Sequence, residues 1–194
     1  MNPAITRTIE KKRLTVDDYL LMPDNGKLLQ LIDGDFIMAP APNLKHQEVS
    51  RNIETEIAKF LEKNPIGKIL DAPIDYYVDT YNVVQPDLVY ISKERYNILF
   101  DRGIRNAPDL IIEIISTGTE DTDRNLKKDL YWRAGVKEYW IVDLEKESIE
   151  VYKLENSEYR LTKIYWKSNN ERIRTDLLPG LEIDLKKIFY FDWI

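Results

Sequence analysis

The sequence contains no cysteine and a single histidine, His46. The first absence excludes a disulfide framework and any thiolate metal site, and the second excludes a zinc centre built mainly from imidazoles. A metal, if bound, must rest on oxygen ligands. Long apolar runs are missing too. No stretch approaches the roughly 20 residues a membrane span needs, and the segment Met1 to Arg13 is polar, with Lys11, Lys12 and Arg13 in succession. The chain is therefore expected in the cytoplasm, away from membranes. An excess of positive charge is also lacking. The formal net charge of −6 argues against a protein that coats nucleic acid nonspecifically, because such binding is driven by phosphate neutralisation and counterion release. It leaves room for a nuclease with a local basic groove. No repeat, low-complexity segment or linker interrupts the 194 residues, which suffice for one full-sized core, so residues 1–194 are expected to form one domain.

What is present reads as an α/β protein. Thr15 caps a short helix through Leu21, closed by Pro23 and the turn Asp24-Asn25-Gly26. Leu29 to Ile32 and Phe36 to Met38 flank Asp33-Gly34-Asp35, an Asp-Gly hairpin signal. From about Leu44 to Leu61, Val49, Ile53, Ile57, Phe60 and Leu61 recur at helical spacing, with His46 in the first turn. Apolar runs predict strands at Lys68–Leu70, Ile74–Val78, Asp87–Ile91 and Leu110–Ile115, the last two opened by Pro-Asp. A helix over about Asp123–Arg133 follows, then a strand at Tyr139–Val142. Ile149–Tyr152 and Arg160–Ile164 read as a C-terminal meander.

One residue breaks the pattern. Glu113 stands in the middle of Leu-Ile-Ile-Glu-Ile-Ile, where an isolated ionised carboxylate would be strongly penalised. Taken alone it reads as the wet face of an edge strand. Asp87, at the head of another aliphatic strand, lets two strands present carboxylates at one end of a sheet, and such oxygen pairs suit Mg²⁺. Phosphodiester cleavage also needs a cation near the developing charge. Lys127 is the candidate, with Tyr131 four residues on and Arg124 on the same helical face, although Lys127 and Lys128 also fit an ordinary solvated pair.

Several strings carry a further signal: Leu31-Ile32-Asp33-Gly34-Asp35, His46-Gln47, Val84-Gln85-Pro86-Asp87-Leu88-Val89, and Ala107 through Ser116. Asp123-Arg124, Lys127, Tyr131, Ala134-Gly135-Val136 and Glu138 through Asp143 complete the series. In this order they resemble the Uma-type family of restriction-endonuclease-like proteins, over roughly Leu14 to Tyr165. The family looks like a branch of the PD-(D/E)xK nuclease superfamily. The resemblance implies a mixed β-sheet flanked by helices, here with an N-terminal hairpin and a C-terminal meander. It implies that Asp87 and Glu113 bind Mg²⁺ (or Mn²⁺) with the main-chain carbonyl of Ile114. The superfamily lysine, expected where Ile115 stands, would be replaced by Lys127 on the next helix. His46 would contact phosphate or water. Gln30 replaces a glutamate that many members carry there, and with Tyr131 and Arg124 it becomes an accessory residue. Asp33 and Asp35 are assigned to the turn, and Asp109 is a weaker site candidate. The implied activity is metal-dependent endonucleolytic cleavage of DNA by a homodimer. The alternative is a non-catalytic nucleic-acid-binding or homo-oligomeric module on the same fold, suggested by Gln30, the acidic charge and the aromatic C-terminus Phe189-Tyr190-Phe191-Asp192-Trp193.

Overall fold

A computed structural model describes residues 12–23, 28–115, 118 and 120–193. The turn Asp24-Asn25-Gly26 and Ser116 lie outside them, as do residues 1–11. The N-terminal helix spans Val16–Leu20, and Thr15 and Asp18 cap it reciprocally.

The hairpin forms as its turn chemistry dictates. Leu29–Ile32 pairs antiparallel with Asp35–Met38, and Asp33 and Gly34 take φ of 51° and 80°, the left-handed values a two-residue hairpin loop requires. Glycine is needed at 34 on a second count, since a Cβ there would lie 2.7 Å from that of Arg13. The hairpin is not a separate ornament. It forms one edge of a six-stranded sheet that continues through Asn82–Val84, Tyr76–Asp79, Gly103–Arg105 and Leu99–Phe100.

A second six-stranded sheet runs in the order Glu158–Trp166, Ser148–Glu155, Glu138–Asp143, Leu110–Ile115, Leu88–Ser92 and Gly67–Asp71. Only Leu110–Ile115 and Glu138–Asp143 are parallel within it, and both are buried at every position. Strands covered on both faces lose the polar alternation of a half-exposed sheet, which is why their sequences read as apolar runs. One face, with Leu110, Ile112, Ile114, Trp140 and Val142, packs on Val49, Ile53, Ile57 and Leu61 of the helix Leu44–Lys63. The other, with Ile111, Ile115, Tyr139 and Ile141, meets Tyr76 and Val84 of the first sheet together with Leu130 and Tyr131. Glu113 lies between Ile111 and Ile115, so it points into the layer between the sheets and not to water.

Two elements position the site from outside the sheets. The long helix begins at Leu44, where the Asn43 side chain accepts a hydrogen bond from the His46 N–H at 2.9 Å. The helix after Ile115 opens with a π-helical segment, Thr122–Lys127, continues as α-helix over Lys128–Ala134, and ends on Gly135 at φ 84°, the left-handed stop glycine favours.

The core runs further than the sequence suggested. Arg172–Ile173 pairs with Ile183–Asp184, a short helix Leu185–Ile188 follows, and Ile173, Leu178, Ile188 and Phe189 all join the core beside the long helix. Phe189 is therefore not one of the exposed aromatics expected at the C-terminus, whereas Tyr190 and Trp193 are.

Asp109, the weaker site candidate, has a structural task. Its side chain is 1% exposed and bonds Arg95 at 3.0 Å, Lys137 at 2.7 Å and the Ser92 N–H at 2.8 Å. Burial alone would raise its pKa, but these three partners outweigh burial and hold it below 3.8. Its contribution to stability should be complete above that value and fade as the pH falls through the depressed folded-state pKa. Asp109→Asn, which leaves two cations without their partner, should cost roughly 3 kcal/mol in urea denaturation at neutral pH, and the difference from wild type should shrink in acid.

Candidate active site

The register of the second sheet brings the two acidic residues together. Leu88 lies opposite Ile112 and Val89 opposite Ile111, and one further step along the antiparallel pair sets Asp87 against Glu113. Residues opposed in this way share a sheet face. Their link is explicit, because Asp87 Oδ2 accepts the main-chain N–H of Ile114 at 2.7 Å. His46 Nε2 approaches the same oxygen at 3.2 Å. The start of the long helix and the end of the sheet thus close around one carboxylate. These residues line a cleft of about 310 Å³ together with Gln30, Gln85, Asp123 and Lys127.

Glu113 is tied from the opposite side. Its Oε1 accepts hydrogen bonds from Lys127 Nζ at 3.0 Å and from the Tyr131 hydroxyl at 2.6 Å. Lys127 also pairs with Asp123 at 3.0 Å. Asp123, quoted from the sequence only as part of the family pattern, was given no site role there, although its four-residue spacing from Lys127 was a usable signal. Arg124 goes elsewhere. It bonds Glu120, Asp143 and Glu150 at 2.8, 3.1 and 2.7 Å and does not line the cleft.

The charges respond to this packing. Burial pushes the Glu113 carboxyl up to about 8; the Lys127 ammonium opposes the rise, and Asp123 and Asp87 reinforce it. For Lys127, burial favours the neutral amine, but Glu113, Asp123 and Asp87 outweigh it and raise its pKa above the usual 10.5. Lys127 is therefore a fixed cation at neutral pH. Burial likewise opposes charge on His46, yet Asp87, Glu113 and a hydrogen bond with the Ile114 backbone prevail and lift its pKa above 6.5.

Gln30 is buried on its strand, and its Oε1 accepts the Gln85 N–H at 3.2 Å. The Gln85 amide donates in turn to Asp75 at 2.9 Å, which leaves the Gln85 Oε1 buried with no partner among the described residues.

Among the described residues no group of three or more histidine, aspartate or glutamate side chains is placed to hold a metal ion. The donors at the cleft nonetheless fit a hard divalent cation. Asp87 Oδ1 and Glu113 Oε2 accept no hydrogen bond from the described residues, and Ile114 lines the same cleft. Mg²⁺ commonly takes one or two carboxylates and fills its remaining positions with water and substrate oxygens.

No curated protein matches the chain. Among solved structures, it is similar to the crystal structure of "a putative nuclease belonging to DUF820" from Anabaena variabilis ATCC 29413, with a TM-score of 0.74 and 19% identity over 91% of this chain and 97% of that one. The fold is therefore shared. Residues 16–186 match the sequence profile of the Uma2 family, described as "Putative restriction endonuclease", and with so much of its length matched the chain belongs to that family.

Proposed function

We propose that the protein is a divalent-metal-dependent endonuclease that hydrolyses phosphodiester bonds of DNA. The observation that carries the proposal is the convergence of Asp87, Glu113 and the buried cation Lys127 on one cleft. Asp87, Glu113 and the Ile114 carbonyl would hold Mg²⁺, or Mn²⁺ in its place. A bound cation of this kind supplies Lewis-acid polarisation of the phosphate and a more acidic water.

The chain's own residues then have distinct tasks. The Ile114 N–H and His46 fix the Asp87 carboxylate. Tyr131 holds Glu113 in its rotamer. Lys127 cannot act as a proton acceptor at neutral pH, because its neighbours keep it charged; it stabilises negative charge that builds on the attacking oxygen and the phosphate. His46, whose carboxylate neighbours favour its charged form, lies 3.2 Å from Asp87 and stands ready to contact a phosphate oxygen. Gln30 has committed its carbonyl to the Gln85 N–H, so it supports the cleft wall and does not add a charge to the metal site.

The deciding experiment is a plasmid-nicking assay on the purified protein with Mg²⁺ or Mn²⁺ and with EDTA. Metal-dependent nicking is expected. If neither metal supports cleavage of DNA or RNA and calorimetry finds no metal binding, the fold serves as a binding module instead.

The proposal includes two copies related by a two-fold axis, the simplest arrangement for cutting both strands of a duplex, and a cytoplasmic location. No helix among the described residues is long and apolar enough to cross a membrane. Tyr190 and Trp193, 63% and 46% exposed, are of the residue types enriched at interfaces. Light scattering should give twice the chain mass at micromolar concentration, and a monomer at every concentration tested would remove the dimer.

A further inference from the structure

A second cleft, of about 330 Å³, opens beside the first sheet and is lined by Tyr77, Phe100, Arg102, Arg105 and Asn106 among others. Its two arginines differ from the rest. Every other arginine of the described residues lies within 4.0 Å of a carboxylate oxygen. Arg102 and Arg105 have no such partner among the described residues. Three acids are close by, and none pairs with either arginine; Asp75 accepts from Tyr77, Tyr19 and Gln85. Asp79, which lines the cleft, is committed to Asn82 at 2.8 and 3.0 Å and to the Tyr81 N–H at 2.8 Å, and Asp101 pairs with neither arginine.

Both arginines line this cleft. Arg105 stacks over the Phe100 ring at 4.2 Å, and Phe100 lies 5.5 Å from the Tyr77 ring. Burial and then Asp75 raise the Tyr77 pKa, and both arginines pull against that rise. In a chain of net charge −6, two guanidiniums with no carboxylate partner among the described residues, one of them stacked on an aromatic ring, offer a local site for anions. Guanidiniums bind phosphate in forked pairs of hydrogen bonds, and aromatic and arginine planes stack on bases.

The wall between the two clefts is thin. Asp75 accepts the Tyr77 hydroxyl at 3.1 Å on one side and the Gln85 amide at 2.9 Å on the other, and Gln85 lines the cleft of Asp87 and Glu113. We infer that Arg102 and Arg105 bind backbone phosphates of the nucleic-acid strand whose scissile phosphate sits at Asp87 and Glu113. This rests on the nuclease reading for the position of the scissile phosphate, though not for the binding itself.

The test is fluorescence anisotropy with a labelled DNA duplex, in EDTA so that no cleavage occurs, across a series of salt concentrations. The full chain is compared with the double variant R102Q/R105Q, with R102K/R105K, and with Lys59→Gln, whose lysine pairs with Glu56 on the long helix. Neutralising the two arginines should weaken binding roughly tenfold each at low salt and reduce the slope of log affinity against log salt by about 1 per arginine. The lysine pair should keep the wild-type slope, and Lys59→Gln should change neither quantity. A wild-type slope in R102Q/R105Q, or no duplex binding by the wild type, overturns the inference. Hydrolysis of bis(p-nitrophenyl) phosphate by the wild type with Mn²⁺ tests the nuclease reading separately. Hydrolysis with an unmoved slope rejects the arginine site alone, and arginine-dependent binding without hydrolysis rejects the nuclease alone.

Discussion

Glu113→Gln is expected to abolish metal-dependent cleavage and to leave the fold intact. A neutral amide is a poor ligand for a hard cation, so calorimetric Mg²⁺ titration should show no binding. The fold survives because the glutamine carbonyl can still accept from Lys127 and Tyr131, and Lys127 keeps Asp123 as its counter-charge. The same environment sets the pH dependence. The Glu113 pKa is raised from 4.5 to about 8, so between these values the metal-free folded protein binds more protons than the unfolded chain. The sign follows: this stabilisation is complete below 4.5 and is lost as the pH rises through about 8. Denaturation in EDTA should show that loss in wild type and not in Glu113→Gln. Metal must also displace the proton, so Mg²⁺ affinity and cleavage should both climb with pH toward about 8. Wild-type cleavage that is flat over this range, or a Glu113→Gln protein that still nicks DNA, would sink the assignment of Glu113 as a ligand.

Much of this site was legible because its chemistry contradicts its surroundings. A carboxylate in Leu-Ile-Ile-Glu-Ile-Ile needs an explanation, and both Asp-Gly at the hairpin and the four-residue apolar repeat of the long helix fix where Gln30 and His46 fall. The π-helical segment was not legible. A π turn holds more residues than the 3.6 of an α-helix, so a three-residue spacing no longer shares a face there, while a four-residue spacing still does. Arg124, placed on the lysine face by the three-residue spacing, turns to Glu120, Asp143 and Glu150, and Asp123 takes the position beside Lys127. The first sheet was hidden for another reason. Asn82–Val84, Leu99–Phe100 and Gly103–Arg105 are two or three residues long, too short for a period of two to appear, and only their partners make them strands. Asp109 was ambiguous because a strand-opening aspartate reads alike whether it faces a substrate or, as here, Arg95 and Lys137.

Lys127→Met should separate metal binding from catalysis. The substitution removes the positive charge nearest Glu113 and keeps most of the side-chain volume. With the cation gone, Glu113, Asp123 and Asp87 repel one another without compensation, so the Glu113 pKa must rise further. Two consequences follow for the metal-free protein. Leaving Asp123 and Asp87 without their cation should destabilise the fold by roughly 3–5 kcal/mol, and because Glu113, at about 8 in wild type, is then protonated at neutral pH, the loss should deepen as the pH rises through its further-raised pKa. A divalent cation is the natural replacement for the missing charge. Mg²⁺ should therefore bind at alkaline pH as tightly as in wild type or more so, and should raise the stability of Lys127→Met with the logarithm of its concentration above the Kd. Cleavage should not recover. If the ammonium stabilises charge only as the phosphate is attacked, its loss lowers kcat by about 10²–10⁴-fold, the range for a lost group acting on the reacting atoms, even when the metal site is saturated. The measurement is single-turnover plasmid nicking at saturating Mg²⁺ beside thermal unfolding with and without the metal. Wild-type rates at saturation would assign Lys127 to holding Glu113 and Asp123 in place, and the charge that stabilises the reacting phosphate would then have to come from His46 or the metal.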